Sequence, residues 1–100
     1  KKHRLYFTKD ELTKILQHYA MGVSKGRWKD YSMNFTNNEA FFNFHRNTFE
    51  KPVTSIIKNK AKKKQENIYK LFNNNQIMLY DNLDKLFIYL RRKNIRLIKK

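Results

Sequence analysis

The chain has 100 residues, enough for one domain with a single core and too few for two independent ones. Hydrophobic residues make up 40% of it and aromatic residues 15%, which is more apolar surface than a disordered chain carries. It has no cysteine, which excludes disulfides, thiolate metal sites and cysteine nucleophiles, and its net charge of +15 points to a polyanionic partner.

The first predicted element is a helix at about residues 9 to 24. Thr8 and Glu11 have the spacing of a capping box, in which the threonine hydroxyl accepts the N3 amide hydrogen and the carboxylate accepts the cap amide hydrogen. Gly26 favours the left-handed conformation that often ends a helix. The core-facing side carries apolar residues at helical spacing: Leu12, Ile15, Leu16, Tyr19 and Val23.

Two strands are predicted next, at residues 31–35 and 40–45. In the first, apolar side chains alternate with polar ones, which is typical of a half-buried strand. Residues 36–39, Thr-Asn-Asn-Glu, have turn chemistry, so the two strands are expected to form a hairpin. The second strand places three side chains on its core side: Ala40, Phe42 and Phe44.

Three further strands are predicted at residues 53–57, 68–72 and 77–80. Pro52 lacks the amide hydrogen that a strand ladder needs, so it marks the connection before the first of them. Residues 73–76, Asn-Asn-Asn-Gln, are expected to form the turn of a second hairpin between the last two strands.

A second helix is predicted from residue 81 to about residue 94. Asp81 is the expected N-cap, and Asp84 lies near the positive end of the helix dipole. Asn94 is expected to end the helix, so that residues 95–100 form a tail that either packs on the domain or frays. One apolar stripe runs along the helix: Leu83, Leu86, Phe87 and Leu90.

This order of elements predicts a single α+β domain over residues 1–100. A five-stranded antiparallel meander would carry both helices on one face, in the order α-β-β-β-β-β-α, and leave the other face open. Phe41 is expected on the open face, where Tyr69 and Leu71 would join it in an apolar patch. Such a patch favours self-association.

Several segments of the chain occur together in one known family. The most specific is residues 26–31, a Gly-x-Trp-basic-Asp-Tyr element. The other matching segments are residues 7–12, 15–16, 19, 40–42, 44–46, 50–52, the basic segment before Tyr69, and residues 81–90. On these residues, nearly the whole chain resembles a family of short, uncharacterised proteins from alpha-class proteobacteria that is catalogued only as a domain of unknown function. The resemblance implies a single-domain bacterial cytoplasmic protein and implies no activity. The asparagine turn departs from the family, which tends to have a small residue and glycine there.

Positive charge is concentrated in the second half of the chain. Residues 1–50 have nine basic and five acidic side chains, and residues 51–100 have fourteen and three. A lysine-rich loop between two strands can neutralise phosphates with little sequence preference, although a merely solvated loop would have the same composition. The predicted phosphate contacts in it are Lys58, Lys60, Lys62, Lys63 and Lys64.

Two smaller basic clusters are also candidate contacts. Arg27, Trp28 and Lys29 interleave an aromatic ring with two cations, as sites that stack unpaired bases do. The alternative is that Trp28 is a lid on the core whose indole N–H donates to a carbonyl. The second cluster follows the apolar stripe of the last helix, where the helix dipole by itself also favours cations: Arg91, Arg92 and Lys93, with Arg96, Lys99 and Lys100.

Side chains for catalysis or metal binding are few. His3, His18 and His45 have no ligand spacing and no carboxylate pair has a useful separation, so no metal, cofactor or small-molecule substrate is predicted. A metal-free ribonuclease is one alternative, with His45 as general acid or base and Arg46 or a lysine stabilising the phosphate. The inventory favours a protein without catalytic activity.

The leading expectation is therefore a small cytoplasmic protein that binds nucleic acid, with RNA and DNA both open. A homodimer or protein-interaction module that uses the open sheet face is the first alternative, and the ribonuclease is the second. No apolar run approaches the roughly 20 residues of a membrane-spanning helix, so we expect a soluble protein.

Overall fold

A computed structural model of the chain describes residues 3–60 and 68–99, with side chains described through Arg92. Its elements follow the predicted order and confirm the α+β fold. They are α1 (Lys9–Ser24), β1 (Asp30–Phe35), β2 (Glu39–His45), β3 (Thr54–Asn59), β4 (Ile68–Asn73), β5 (Gln76–Tyr80) and α2 (Leu83–Lys99).

Helix α1 begins at the capping box that the sequence predicts. Thr8 Oγ1 accepts the Glu11 N–H at 3.1 Å, and Glu11 Oε1 accepts the Thr8 N–H at 2.8 Å. Gly26 has a φ of 76° just beyond the last turn, a left-handed conformation that glycine adopts without steric cost. The predicted bounds of this helix are confirmed.

The five strands form one antiparallel sheet in the order β1-β2-β3-β4-β5, so each strand pairs with its neighbour in the chain. The β4–β5 connection is a tight turn in which Asn73 pairs with Gln76. Asn74 and Asn75 between them have φ values of 52° and 64°. Positive φ at both central positions is the pattern of a type I′ turn, whose twist suits a hairpin and which asparagine tolerates. The predicted meander is confirmed.

Both helices pack on one face of the sheet. The buried core lies between the two helices and the sheet: Ile15, Trp28, Phe42, Phe44, Ile56, Leu71, Leu83, Leu86, Phe87 and Leu90. Because side chains alternate along a strand, Phe41 lies on the opposite, open face, as predicted. The prediction that Tyr69 and Leu71 accompany it is wrong, because they pair with Lys58 and Ile56 on the helix-covered face.

Helix α2 differs from its prediction at both ends. Asn82 Oδ1 accepts the Lys85 N–H at 2.9 Å, so Asn82 and not Asp81 is the N-cap. The helix continues through Asn94 to Lys99. An asparagine inside a helix costs about 0.7 kcal/mol or less relative to alanine. A helix that has no glycine or proline tolerates this cost.

The meander sorts the loops and helix termini to two opposite ends of the sheet. One end holds the connections 25–29 and 46–53, the turn 74–75 and the later part of α2; we call it the arginine end. The other holds the beginnings of both helices and the turn 36–38; we call it the acidic end. The six residues of β3 separate the two ends by roughly 17 Å, at about 3.3 Å per residue.

Candidate nucleic-acid interface

Acidic side chains gather at the end of the sheet where both helices begin. Of the described acidic residues, only Asp30 and Glu50 lie at the arginine end. Among the described residues, four ion pairs form toward the acidic end: Lys14–Asp84 at 3.0 Å, Lys58–Glu11 at 2.9 Å, Lys70–Glu39 at 3.6 Å and Lys85–Asp81 at 3.1 Å. Much of the positive charge at this end is thus neutralised within the fold.

Lys58 is a core side chain of β3 and is only 3% exposed. Its ammonium donates to Glu11 Oε1 at 2.9 Å and to the Tyr6 carbonyl oxygen at 3.0 Å. Thr54, Ile56 and Lys58 alternate toward the helices, so the strand continues two residues past its predicted end and carries this lysine inward. Lys58 therefore drops out of the predicted phosphate contacts.

The remainder of the lysine run leaves the sheet at the acidic end. Lys60 is exposed, and its N–H donates to the Asn38 carbonyl oxygen in the β1–β2 turn at 2.8 Å. The loop therefore begins on the far side of the sheet from the other predicted cations. Three of the predicted contacts lie outside the described residues: Lys62, Lys63 and Lys64.

A cleft of about 410 Å³ opens at the arginine end of the sheet. Three connections and the later part of α2 form its walls. Its lining contains no acidic residue: His18, Gly26, Arg27, Trp28, Arg46, Val53, Thr54, Asn73, Asn74 and Leu90. We call it the arginine cleft.

The protein does not neutralise the two arginines of this cleft. Arg27 comes from the α1–β1 connection and is half-buried, whereas Arg46 directly follows β2 and is exposed. Neither guanidinium has a hydrogen-bond or ion-pair partner among residues 3–60 and 68–92. Two cations that share one cleft without a carboxylate repel each other, and a bound anion would relieve that repulsion.

Trp28 lines the cleft from within the core. It is 7% exposed, its indole N–H donates to the Tyr19 carbonyl oxygen at 2.9 Å, and its ring lies 4.6 Å from that of Phe44 between centroids. The core-lid interpretation is confirmed. Stacking of a base on Trp28 is ruled out, because a ring this buried offers no face to a base.

The other predicted cations extend the positive surface of the arginine end. Lys29, Arg91 and Arg92 are exposed there, and Arg91 also lines a cavity of about 300 Å³ between α1 and α2. Lys93 lies in α2, and its side chain is outside the described part of the chain. The predicted contacts therefore divide into an arginine group at one end and a lysine group at the other.

His18 responds to the positive potential of the arginine end. Its burial, followed by the charges of Arg27 and Arg91, lowers the pKa of His18 from 6.5 to about 4, so the ring is neutral at neutral pH. Three aromatic rings surround it, with centroid distances of 5.7, 5.9 and 5.3 Å: Trp28, Phe44 and Phe87. The histidine is thus an uncharged core ring beside the cleft.

This lowered pKa predicts a pH-dependent stability. Between pH values of about 4 and 6.5 the unfolded chain binds more protons at His18 than the folded one does, so the free energy of unfolding rises with pH in this window. His18→Phe keeps a ring in the core and removes the titrating group, and we expect it to reduce that rise by on the order of 2 kcal/mol. Urea unfolding of both proteins across the window measures the difference; equal pH slopes would contradict it.

Comparison with known proteins gives a family. A family model described as "Protein of unknown function (DUF2794)" matches residues 5–87. The chain belongs to the DUF2794 family. The matched range contains both cleft arginines and all five strands. No curated protein and no solved structure is detectably similar to the chain. Membership confirms the predicted resemblance to a family catalogued as a domain of unknown function, and it assigns no activity.

His45 of this DUF2794 protein lies on the open face of β2. Its Nδ1 is 3.0 Å from the Glu50 carbonyl oxygen, and its Nε2 is 2.8 Å from Ser32 Oγ. A carbonyl oxygen only accepts, so Nδ1 carries the hydrogen and, in the neutral ring, Nε2 accepts from the serine hydroxyl. His45 does not line the cleft that contains Arg46. The two residues of the ribonuclease alternative therefore do not meet there.

The open face of the DUF2794 sheet is divided between polar and apolar side chains. Toward β1, Asn43 donates to Ser32 Oγ at 3.2 Å and accepts from Ser55 Oγ at 2.8 Å. Toward β5, Ile77 and Leu79 are 62% and 66% exposed on an edge strand. The apolar part is thus displaced toward β5.

The described residues show neither a metal-binding cluster nor a membrane-spanning element. Within residues 3–60 and 68–99, no group of three metal-ligating side chains occurs, and no helix is long and apolar enough to cross a membrane.

Proposed function

We propose that this DUF2794 protein binds nucleic acid by contacting the phosphates of the nucleic acid and does not catalyse a reaction. The arginine cleft is the principal contact surface of the protein in this proposal. The observation that carries the proposal is the pair Arg27 and Arg46, two guanidiniums without partners among the described residues in a cleft whose lining has no carboxylate. A guanidinium presents its N–H groups in a planar fork that matches two phosphate oxygens.

The surroundings of the cleft support a polyanionic ligand. Lys29, Arg91 and Arg92 are exposed at the same end, and each phosphate they neutralise releases counterions, which favours binding at low salt. The lysine segment from residue 60 to residue 64 is a second contact in this proposal. Its beginning lies roughly 17 Å from the arginine end, about five base-pair rises of a duplex. In this proposal the protein acts in the bacterial cytoplasm, as the family resemblance implies.

A second candidate function is association through the open sheet face. Its support is the exposure of Ile77 and Leu79 on β5, the last strand of the sheet, which pairs on one side only among the described residues. A dimer in sedimentation experiments that dissociates on Leu79→Asn, combined with no affinity for nucleic acid, would favour this candidate over the first.

Removing the two cleft arginines should weaken binding more than removing two other cations. We expect Arg27→Gln with Arg46→Gln to reduce affinity for a generic oligonucleotide about 10-fold or more and to lower the slope of log K against log salt by about 1 to 2. Fluorescence anisotropy with single- and double-stranded RNA and DNA at several salt concentrations measures both quantities.

The matched control removes the same charge from the acidic end. Arg4→Gln with Lys9→Gln changes two exposed cations that do not line the cleft, and it should cost much less affinity. A third variant, Lys60→Gln with Lys62→Gln, Lys63→Gln and Lys64→Gln, reports on the lysine segment. Equal losses in the arginine and control variants would show that only net charge matters, and an absence of binding at low salt would overturn the proposal.

A further inference from the structure

The size of the arginine cleft restricts what can enter it. Its volume of about 410 Å³ lies in the range of small-molecule pockets, roughly 300–1,000 Å³. A duplex, whose major groove alone is about 12 Å wide, cannot enter a cleft of this volume. One nucleotide-sized group can, so the part of a nucleic acid that fits is a single unit and not a helical segment.

The polar groups of the cleft are mostly donors. Arg27 and Arg46 each have five N–H donors and no acceptor. Asn73 Oδ1 already accepts from Thr54 Oγ1 at 2.8 Å, and the amide NH2 of Asn73 adds two donors. The rest of the lining is mixed, with the apolar side chains of Trp28, Val53 and Leu90 beside the polar side chains of His18, Thr54 and Asn74. A ligand that satisfies this set must be compact, anionic and rich in acceptor oxygens.

Among the phosphates of a nucleic acid, one at a strand end fits this description best. A phosphomonoester has three terminal oxygens and a charge of about −1.5 to −2 at neutral pH. An internal phosphodiester has a single charge and is flanked by a nucleotide on each side, both of which a cleft of this volume would have to admit. Two guanidinium forks can each bind two oxygens of a monoester, whereas a diester has only two unbridged oxygens for both.

We propose that the arginine cleft binds the terminal phosphate of a nucleic-acid strand, held between Arg27 and Arg46. The proposal rests on nucleic-acid binding as the function and specifies the ligand of that same site. Binding at strand ends adds a preference that phosphate contact along a backbone does not give.

The test uses one internally labelled single-stranded oligonucleotide in three forms: with a 5′-phosphate, with a 3′-phosphate, and with hydroxyl groups at both ends. At constant moderate salt, we expect the protein to bind one phosphorylated form about 10-fold more tightly than the hydroxyl form, a difference worth about 1.4 kcal/mol. Arg27→Gln and Arg46→Gln should each abolish this preference. Arg4→Gln with Lys9→Gln should keep it, which excludes a general effect of the added charge.

Each other outcome decides between the two proposals. Equal affinity for the three forms would overturn the strand-end ligand and leave nucleic-acid binding intact. No affinity for any form would overturn both. Competition by a nucleoside 5′-monophosphate but not by inorganic phosphate would show that the cleft contacts the terminal nucleotide as well. Binding of the mononucleotide without binding of any oligonucleotide would show that the cleft takes a free nucleotide, and it would overturn the proposal that the phosphate belongs to a nucleic-acid strand.

Discussion

Replacing Gly22 with alanine should lower the free energy of unfolding by about 2 to 4 kcal/mol, although alanine is the better helix former. Gly22 is buried in α1, and the indole of Trp28 lies directly over it. A Cβ atom at this position would overlap Cε2, Cζ2 and Nε1 of the ring. Urea unfolding followed by circular dichroism measures the change.

The sign of this effect follows from the relative size of two terms. Alanine in place of a helical glycine gains about 1 kcal/mol of helix propensity. Overpacking typically costs about 1 to 3 kcal/mol and can cost more where the neighbour cannot move. Here the clashing ring lies within 2.5 Å of the added Cβ and is fixed by its hydrogen bond to Tyr19 and its contact with Phe44, so we expect a steric cost of about 3 to 5 kcal/mol. The ring cannot move without losing burial and that hydrogen bond, so the steric term is the larger one.

Gly26 provides the matched control for this prediction. It is exposed with a φ of 76°, and no atom lies within 4 Å of a Cβ built on it, so Gly26→Ala should cost only the left-handed strain of about 1 to 2 kcal/mol. Gly22→Ala in a Trp28→Leu background should cost less than in the native chain, because the smaller side chain relieves the overlap. A Gly22→Ala protein as stable as the native one would refute the close packing of Trp28 on α1.

Local patterns were sufficient to predict most of the fold. The capping box at Thr8 and Glu11 determines where α1 begins, and alternation in β1 and β2 selects the side chains that face the core. Prediction failed where two local choices were nearly equal in energy. The end of α2 at Asn94 is one case, since neither residue type nor spacing distinguishes a helix that stops from one that continues.

The candidate site was less predictable because its residues come from distant parts of the chain. The arginine cleft joins residue 18 to residue 90 through six separate runs of residues. Arg27 was predicted, but the cleft role of Arg46 was not. The hairpin register contains a signal for it: Asp30 pairs with His45, so the residues just before β1 and just after β2 leave the sheet side by side.

For Lys58, the lysine-rich composition of its segment led to a wrong prediction of solvent exposure, whereas the side chain has a structural role in the core. It begins a run of lysines, and charge alone suggested solvent exposure. Its parity with Thr54 and Ile56 on β3 points inward instead, and that signal was available in the sequence. Its partner Glu11 is 47 residues away, so the pairing itself follows only from the packing of α1 on the sheet.

Glu11→Ala should lower the free energy of unfolding by about 3 to 5 kcal/mol, because it leaves the ammonium of Lys58 buried without its counter-ion. The Glu11 carboxylate accepts hydrogen bonds from the Thr8 N–H, the Lys58 ammonium and the Tyr69 hydroxyl. The substitution therefore removes the capping box and the partner of two side chains at once. Urea unfolding at neutral pH measures the loss.

Lys58→Met should cost less than Glu11→Ala. Methionine fills a similar volume, and Glu11 keeps the Thr8 N–H and the Tyr69 hydroxyl as donors at a helix N-terminus. In the double variant the buried charge is gone, so Lys58→Met should recover part of the stability that Glu11→Ala removes. If the protein binds oligonucleotides as proposed, the Lys58→Met protein should bind them as the native one does, since the buried ammonium is not part of the proposed interface.

Lowering the pH should reduce the stability that the Glu11 carboxylate contributes. Burial acts to raise the pKa of Glu11, but the hydrogen bonds from Tyr69, Thr8 and Lys58 and the lysine charge outweigh it, and the net pKa lies below the ordinary value of 4.5. The unfolded chain therefore takes up a proton here at a higher pH than the folded one. The stabilisation from Glu11 is present above the ordinary carboxyl range and is lost as the pH falls through the lowered pKa.

The exposed pair Lys14–Asp84 is a control that shows whether the stability lost on Glu11→Ala comes from burial of the charge or from loss of an ion pair as such. Its N–O distance of 3.0 Å is close to the 2.9 Å of Lys58–Glu11, but its side chains are 49% and 69% exposed against 4% and 13%. Asp84→Ala should cost about 1 kcal/mol or less, because water solvates the lysine that is left. If Glu11→Ala cost no more than Asp84→Ala, Lys58 would have to reach solvent in the folded state, and the reason for excluding it from the proposed phosphate contacts would no longer hold.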